Sequence, residues 1–315
     1  MEKRYGLPYK GSKNKIVKDI VEFLPKGNRF IDLFGGGGSV SEYASLSGKY
    51  KSVLYNEINP LVVKGFQMAV NGEFKNERRW ISREDFFRLK DSDPYVAICF
   101  SYNTDMKSYA FSREVEPWKQ ALHYAKLFND FSYFDKFNIK TDATCADIRI
   151  HLREYREKYC NWVRQNYKFL GIEKLSEKKL SHIINAKLPE STQFSSSVLR
   201  LQRLQNISFD APIEIKNNSY EDYEYKEGDI VYCDPPYEDT NCGSYSGFDS
   251  RSFYDWVASR GYQVFFSSYR IEDDRFIPVW QKEKRVLTVN EEVFNTEYLY
   301  SNREYKKKNS FVFGI

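Results

Sequence analysis

The chain has 315 residues and a mass of 37.4 kDa, which suffices for two domains, and its hydrophobic fraction of 41% can fill a sizeable core. No run of about 18 apolar residues occurs, and no apolar stretch follows the N-terminal residues, so we expect neither a transmembrane helix nor a signal peptide. The 5 cysteines form no Cys-x-x-Cys pair, and the 3 histidines lack the spacing of metal ligands. These features predict free thiols in a reducing cytoplasm, no metal site and no membrane partner.

The first part of the chain alternates between helical and strand patterns. Apolar residues recur at helical spacing over 16–24 and 60–70. Short apolar runs over 29–34 and 52–56 are typical of buried strands. The alternation predicts a β-α-β unit, which is the element of a parallel sheet covered by helices.

A similar pattern returns near the other end of the chain, so the α/β character is interrupted only in the middle. The predicted elements there are a strand over 229–233, a helix over 252–259 and strands over 263–267, 286–289 and 310–313.

The middle of the chain, residues 75–205, is polar and reads as mainly helical. Residues 101–205 contain 18 Lys and Arg against 12 Asp and Glu, a net charge of +6. Because the whole chain is only +4, the basic excess is concentrated in this insertion. The excess fits a domain that faces a polyanion, and it fits a solvated helical surface equally well.

A glycine-rich turn joins the first predicted strand to the next helix. Residues 30–39 read Phe-Ile-Asp-Leu-Phe-Gly-Gly-Gly-Gly-Ser, with Asp32 in the strand and Gly35 first in the turn. Glycines let the backbone approach a ligand closely, and such a turn is the usual cofactor position in a doubly wound sheet. No Lys-Ser or Lys-Thr pair follows, which disfavours a nucleoside triphosphate. We expect Ser39 to cap the helix, with Glu42 completing a capping box.

Glu57 ends the second predicted strand, nineteen residues after Gly38. An acidic residue at about this distance accepts the ribose hydroxyls of a bound nucleoside. The position therefore supports either a dinucleotide or S-adenosylmethionine, the alternative being a surface glutamate at the start of a loop.

The most informative stretch is Asp234-Pro235-Pro236-Tyr237, which follows an apolar strand. Each proline fixes its own φ and extends the residue before it, so the loop holds Asp234 and Tyr237 in a set geometry. A carboxylate, a free carbonyl and an aromatic ring suit a planar base with an exocyclic amine, because the two acceptors take its N–H groups and the ring stacks on its face. A plain proline-stiffened turn would leave this combination unexplained.

Together these motifs resemble the Dam-type (class alpha) DNA adenine-N6 methyltransferases, and they occur in that family's order. Residues 8–16 resemble its N-terminal cofactor motif, in which Tyr9 packs on the cofactor and Lys13 reaches the active centre. Residues 101–109 resemble a stretch of bacterial and phage members. The resemblance implies Asp234, Pro235 and Tyr237 as catalytic residues, and Tyr9, Lys13, Asp32, Gly35, Glu57, Ile58 and Asp234 as binding residues for S-adenosylmethionine.

The family implies a Rossmann-like, S-adenosylmethionine-dependent methyltransferase sheet built from residues 1–74 and 206–315. Residues 75–205 would form an inserted, mainly helical target-recognition domain. The implied partner is double-stranded DNA, in the cytoplasm of a bacterial or phage-infected cell, with a cognate restriction endonuclease as an optional, separately acting partner. One departure is Asn218-Ser219-Tyr220, because the family pattern has Asp where this chain has Ser219.

Methylation of the adenine amine by such a site requires hydrogen bonds from its N–H groups to Asp234 and to the Pro235 carbonyl. They would favour a pyramidal nitrogen whose lone pair can attack the methyl group, while Tyr237 holds the ring. Adenine inside a duplex cannot reach such a pocket, so the resemblance also implies base flipping.

Three other readings remain open at this point. Related methyltransferases act on RNA bases or on protein glutamine amides, although the latter usually begin the motif with Asn and not with Asp. A DNA-binding module that has lost catalysis is suggested only by Ser219. A nicotinamide oxidoreductase shares the glycine turn and Glu57, but it leaves residues 234–237 unexplained.

Overall fold

The computed structural model describes residues 4–140, 151–185, 197–198, 201, 209–237, 247–287 and 292–305. The chain divides into two compact units, Met1–Phe74 with Arg203–Ile315, and Lys75–Gln202. We call the first the sheet unit and the second the inserted unit.

Within the described ranges, seven strands form one sheet in the order β3-β2-β1-β4-β5-β7-β6. The strands are β1 (Arg29–Asp32), β2 (Ser52–Asn56), β3 (Ile213–Lys216), β4 (Asp229–Cys233), β5 (Val264–Ser268), β6 (Ile277–Leu287) and β7 (Glu292–Ser301). The first five are parallel to one another, and β7 is antiparallel to both β5 and β6. This mostly parallel α/β sheet confirms the predicted Rossmann-like methyltransferase fold.

The helices pack on both faces of the sheet or form the inserted unit. In chain order the described helices are α1 (Val17–Phe23), α2 (Ser39–Leu46), α3 (Pro60–Val70), α4 (Arg83–Leu89), α5 (Pro94–Phe100), α6 (Glu116–Phe128), α7 (Leu152–Asn166), α8 (Glu177–Asn185) and α9 (Ser250–Ser259).

Neighbouring residues of β1 show why the sheet is covered on both sides. Phe30 lies in a buried cluster with Ile20 of α1 and Ala44 of α2. Ile31, the next residue, lies in a second cluster with Val257 of α9. Because successive strand side chains point to opposite faces, these two clusters are the cores above and below the sheet.

Helix α3 has the predicted bounds, and its N-terminus shows a clear capping signal. The Asn59 side chain accepts hydrogen bonds from the backbone N–H groups of Leu61 and Val62, and Pro60 occupies the first helical position. The carboxyl end of β2 is thereby joined rigidly to the helix that follows it.

The predicted capping box at the start of α2 is wrong. The N-cap is Gly38, at φ +74°, and no side chain caps the helix. Because the glycine turn takes a left-handed conformation one residue earlier, Ser39 already lies inside the helix and cannot act as its cap. The Glu42 carboxylate instead accepts a hydrogen bond from the Gly6 backbone N–H.

The far edge of the sheet also differs from the prediction. Strand β6 begins at Ile277, well before the predicted start at residue 286, because the run of charged residues over 282–285 hides the strand pattern in the sequence. Residues 288–289 and the predicted strand over 310–313 lie outside the described residues.

The described part of the inserted unit is helical and has a core of its own. Trp118, Ala121 and Ala125 bury one face of α6 and pack in a cluster with Tyr159 of α7. The Trp118 and Tyr159 ring centroids are 5.3 Å apart. No helix in the described ranges of the chain is long and apolar enough to cross a membrane.

Candidate active site

The carboxyl end of β4 carries a tight group of charged and hydroxyl side chains. Lys13 Nζ lies 2.6 Å from Asp234 Oδ1, and the Tyr237 hydroxyl lies 3.2 Å from the same oxygen. The Lys13 ammonium also lies 4.8 Å from the centre of the Tyr237 ring. Three residues that the sequence marked in two distant motifs are therefore brought together at one point.

A fourth member of this group, Glu297, was missed by the sequence analysis. Its Oε1 atom accepts a hydrogen bond from the Tyr237 hydroxyl and lies 3.4 Å from Lys13 Nζ. In the β5–β7 pairing Ser268 faces Tyr298, so Glu297 lies one residue beyond the end of β5. Because β7 runs antiparallel to β5, this position lies at the carboxyl ends of the parallel strands, on the same side of the sheet as Asp234.

Burial and charge strongly perturb these groups. Burial alone would lower the pKa of Lys13, but the adjacent Asp234 and Glu297 carboxylates outweigh it and raise that pKa. Burial, followed by the charges of Asp234 and Glu297, raises the pKa of the Tyr237 hydroxyl well above its ordinary value. Lys13 is therefore an ammonium and Tyr237 a neutral hydrogen-bond donor at neutral pH.

Pro235, next to Asp234 in the loop, is buried, and the Tyr237 ring packs edge-on against a second aromatic ring. The Tyr237 and Tyr269 ring centroids are 4.9 Å apart at an interplanar angle of 74°. The prolines and this ring contact fix the loop that follows β4.

The glycine turn after β1 is a close-packed backbone structure. A Cβ atom at Gly35 would collide with the Tyr55 ring, and one at Gly37 would come within 2.6 Å of the Tyr9 Cβ. The Tyr55 hydroxyl donates to the Gly36 carbonyl over 2.7 Å. The half-buried Tyr9 side chain therefore lies directly against the turn, and larger residues at Gly35 or Gly37 would displace it or Tyr55.

Glu57 is 3% exposed and follows β2, as predicted. Its two carboxylate oxygens accept hydrogen bonds from backbone N–H groups, Oε2 from Gly36 over 2.9 Å and Oε1 from Asn59 over 2.8 Å. Glu57 thus connects the glycine turn to the N-terminus of α3. Ile58, beside it, is 54% exposed, which leaves its side chain accessible to a ligand.

Asp32 ends β1 in a buried environment. Its Oδ2 atom accepts a hydrogen bond from the Ser41 hydroxyl over 2.7 Å, and its Oδ1 atom is buried with no hydrogen-bond partner among the described residues. Burial, assisted by the charges of Asp234 and Glu57 and opposed by Ser41, raises the pKa of Asp32 to about 7. A buried, under-satisfied carboxylate at a strand end is typical of a ligand site.

The segment before β4 contacts β2 through asparagines and not through the expected Asp. Asn218 and Asn56 exchange hydrogen bonds of 3.0 Å in both directions. Ser219 caps a short 3-10 turn by accepting from the Glu221 N–H, and Tyr220 stacks on Phe34 at 5.1 Å. Ser219 therefore has a local structural role where the family pattern has an acid.

The inserted unit has a separate feature, a cavity of about 270 Å³. Three basic side chains, two acidic ones and two aromatic rings line it, together with other residues: Arg83, Arg113, Lys136, Glu84, Glu116, Trp162 and Phe169. Phe169 is 89% exposed in the turn after α7. A cluster of His, Cys, Asp and Glu side chains that could hold a metal ion is absent from the described residues.

The sheet order, with acidic residues at the carboxyl ends of its parallel strands, is that of a Rossmann-like α/β fold. Residues 9–311 match the family model described as D12 class N6 adenine-specific DNA methyltransferase. This match covers nearly all of the 315 residues, so the chain belongs to that family. The predicted resemblance to the Dam-type enzymes is confirmed, and the chain is an adenine-specific DNA methyltransferase.

Proposed function

We propose that the protein transfers a methyl group from S-adenosylmethionine to the N6 amine of adenine in double-stranded DNA, after the target base has turned out of the helix. The observation that carries the proposal is that Lys13 and the Tyr237 hydroxyl both lie within hydrogen-bond distance of Asp234 at the end of β4.

The acidic residues at the carboxyl ends of the parallel strands favour a positively charged cofactor. Asp32 and Glu57 end or follow the two strands beside the glycine turn, and Asp234 and Glu297 lie with Lys13 at the end of β4. Asp234 and Glu297 both contact the Lys13 ammonium, and together with Glu57 they complement the positive sulfonium and amino groups of S-adenosylmethionine. The buried, under-satisfied oxygen of Asp32 fits the same interpretation.

The residues that would hold this cofactor are those named from the sequence. Tyr9 and Gly35 would form its cradle, Glu57 would accept from the ribose, and Ile58 would cover the adenine, with the remaining contacts supplied by Lys13, Asp32 and Asp234. When bound, S-adenosylmethionine supplies the methyl group that the reaction transfers.

The residues after β4 would act on the target amine. The Asp234 carboxylate and the Pro235 carbonyl would each accept one N–H, which turns the nitrogen lone pair out of conjugation with the ring. The Tyr237 ring would hold the base in position. Catalysis then depends on orientation and fixed charges, and the loss of one such interaction costs roughly 10²–10³ in rate.

Access to this site would require base flipping, since an adenine that is stacked and paired within a duplex cannot reach a site at the carboxyl end of β4. Arg113, Lys136 and the exposed Phe169 of the inserted unit combine charge and aromatic surface suited to DNA. We infer that the inserted unit recognises the target in a bacterial or phage-infected cell. A separate restriction endonuclease of the same specificity is compatible with this role.

The test is transfer of a labelled methyl group from S-adenosylmethionine to unmethylated duplex DNA. We expect label in the DNA with the natural protein and with Asp274→Ala, which changes an exposed aspartate. Asp234→Ala should lose at least about 10²-fold in rate while folding normally. Full activity of Asp234→Ala would refute the assignment, and label in RNA or protein but not in DNA would refute the proposed substrate.

A further inference from the structure

Glu297 is a charged residue in an unusual place. It is 0% exposed within the sheet, on a strand whose next residues are Tyr298, Leu299 and Tyr300. Burying a carboxylate is costly unless it is paired. Its partners include the two side chains that also engage Asp234, namely Lys13 at 3.4 Å and the Tyr237 hydroxyl.

Without Glu297, the positive charge of Lys13 and the negative charge of Asp234 would already balance each other. Counted with Lys13 and Asp234 alone, Glu297 adds a second carboxylate to one ammonium, and burying that further carboxylate does not by itself benefit folding. A site that breaks a local stability rule in this way is expected to have a functional reason.

The reason lies in the occupancy of one oxygen atom. Asp234 Oδ1 is contacted by both the Lys13 ammonium and the Tyr237 hydroxyl. A carboxylate oxygen offers about two lone pairs, so these two donors fill Oδ1, and an entering amine can donate to that oxygen only after one of them has moved away. Glu297 Oε1 already lies close to both donors and can accept them in place of Asp234.

We propose that Glu297 is a positioning residue for methyl transfer, which draws Lys13 and the Tyr237 hydroxyl away from Asp234 so that Asp234 can accept the target amine. This inference rests on the proposed function. It assigns Lys13 a second location during the reaction, held by Glu297. It also predicts that the reaction needs the charge of Glu297 in addition to its hydrogen-bonding capacity.

Glu297→Gln tests the charge while keeping the shape and an oxygen acceptor. Lys13 should then stay on Asp234, so the single-turnover rate of methyl transfer should fall about 10- to 100-fold. The dissociation constants for S-adenosylmethionine and DNA should change by less than about threefold, because Glu297 would act on the chemical step. Glu283→Gln changes an exposed glutamate of β6 and should keep the natural rate.

A double-variant comparison separates positioning from a merely structural role. In the Lys13→Met variant the ammonium that Glu297 would draw away from Asp234 is absent. Adding Glu297→Gln to that variant should therefore lower the rate by less than about threefold. An equal loss in both backgrounds would overturn the proposal, as would a natural rate for Glu297→Gln alone. Far-UV circular dichroism checks folding, and Glu297→Asp, which keeps the charge, should recover part of the lost rate.

Lys13 itself provides a readout that needs no methyl transfer to adenine. Reductive methylation with formaldehyde, followed by mass spectrometry, measures how fast this amine reacts. Because Asp234 and Glu297 hold Lys13 in its charged form, Glu297→Gln should make Lys13 react several-fold faster. Unchanged reactivity would overturn the link between Glu297 and Lys13. If the natural protein methylates no adenine, by contrast, it is the proposed function that fails.

Discussion

Replacing Asp32 by Asn should change how the stability of the protein depends on pH. Asp32 is 1% exposed, and burial raises its pKa to about 7 from an ordinary value of 3.8. As the pH rises above about 4, the unfolded chain releases this proton before the folded chain does. The free energy of unfolding therefore falls as the pH rises from about 4 to about 7, and this loss then levels off.

The size of the effect follows from the same two values. A difference of one unit between the folded and unfolded pKa values corresponds to about 1.4 kcal/mol in the free energy of unfolding. The full difference for Asp32 therefore amounts to roughly 4 kcal/mol. Asn keeps the shape and can still accept from Ser41, but it does not titrate. Asp32→Asn should therefore stabilise the free protein by about 1.5 kcal/mol at pH 5 and by about 4 kcal/mol at pH 8.

Urea unfolding of both proteins at several pH values between 5 and 8.5 measures this difference. The advantage of Asp32→Asn should grow between pH 5 and 7 and then stay constant. Asp274→Asn, at an exposed position, is the control and should show no such trend. A difference that does not vary with pH would refute the reasoning that Asp32 is held protonated by its surroundings.

Three further outcomes are expected. Gly35→Ala, whose Cβ would collide with the Tyr55 ring, should destabilise the protein by about 1–3 kcal/mol and remove most of the melting-temperature increase caused by S-adenosylmethionine; an unchanged increase would contradict the close packing of the turn. Arg29→Met leaves the buried Asp229 carboxylate without its 2.8 Å partner and should cost about 3–5 kcal/mol in urea unfolding, whereas a loss under 1 kcal/mol would count against it. Phe169→Ala should weaken DNA binding at least about tenfold in a fluorescence titration without affecting S-adenosylmethionine affinity, and equal DNA affinity would remove Phe169 from the DNA surface.

The fold and part of the site were accessible from the sequence because local patterns encode them. The strand before Asp234 and the helix over Pro60–Val70 have strong hydrophobic periodicity, with proline and asparagine signals at their ends. The position of Lys13 near Asp234 came from the family resemblance, since no local rule relates residues so far apart in the chain.

Other features depend on three-dimensional pairing and could not be read from local patterns. Ser39 fits a capping box in sequence, but the left-handed Gly38 occupies the cap position. Glu297 joins the site only because β7 runs antiparallel beside β5, a pairing that the sequence does not specify. The position of Glu297, an acidic residue among aromatic residues of a strand, was a signal of a functional role. It did not identify the residues that Glu297 contacts.

The central claim is that this site methylates the N6 amine of adenine. The most direct measurement is digestion of DNA labelled by the protein into nucleosides, with chromatographic identification of the labelled nucleoside. Our account predicts that the label co-elutes with N6-methyl-2′-deoxyadenosine and that it disappears when the DNA is treated with the Asp234→Ala variant. Label in methylated cytosine, or label in adenine that persists with Asp234→Ala, would contradict it.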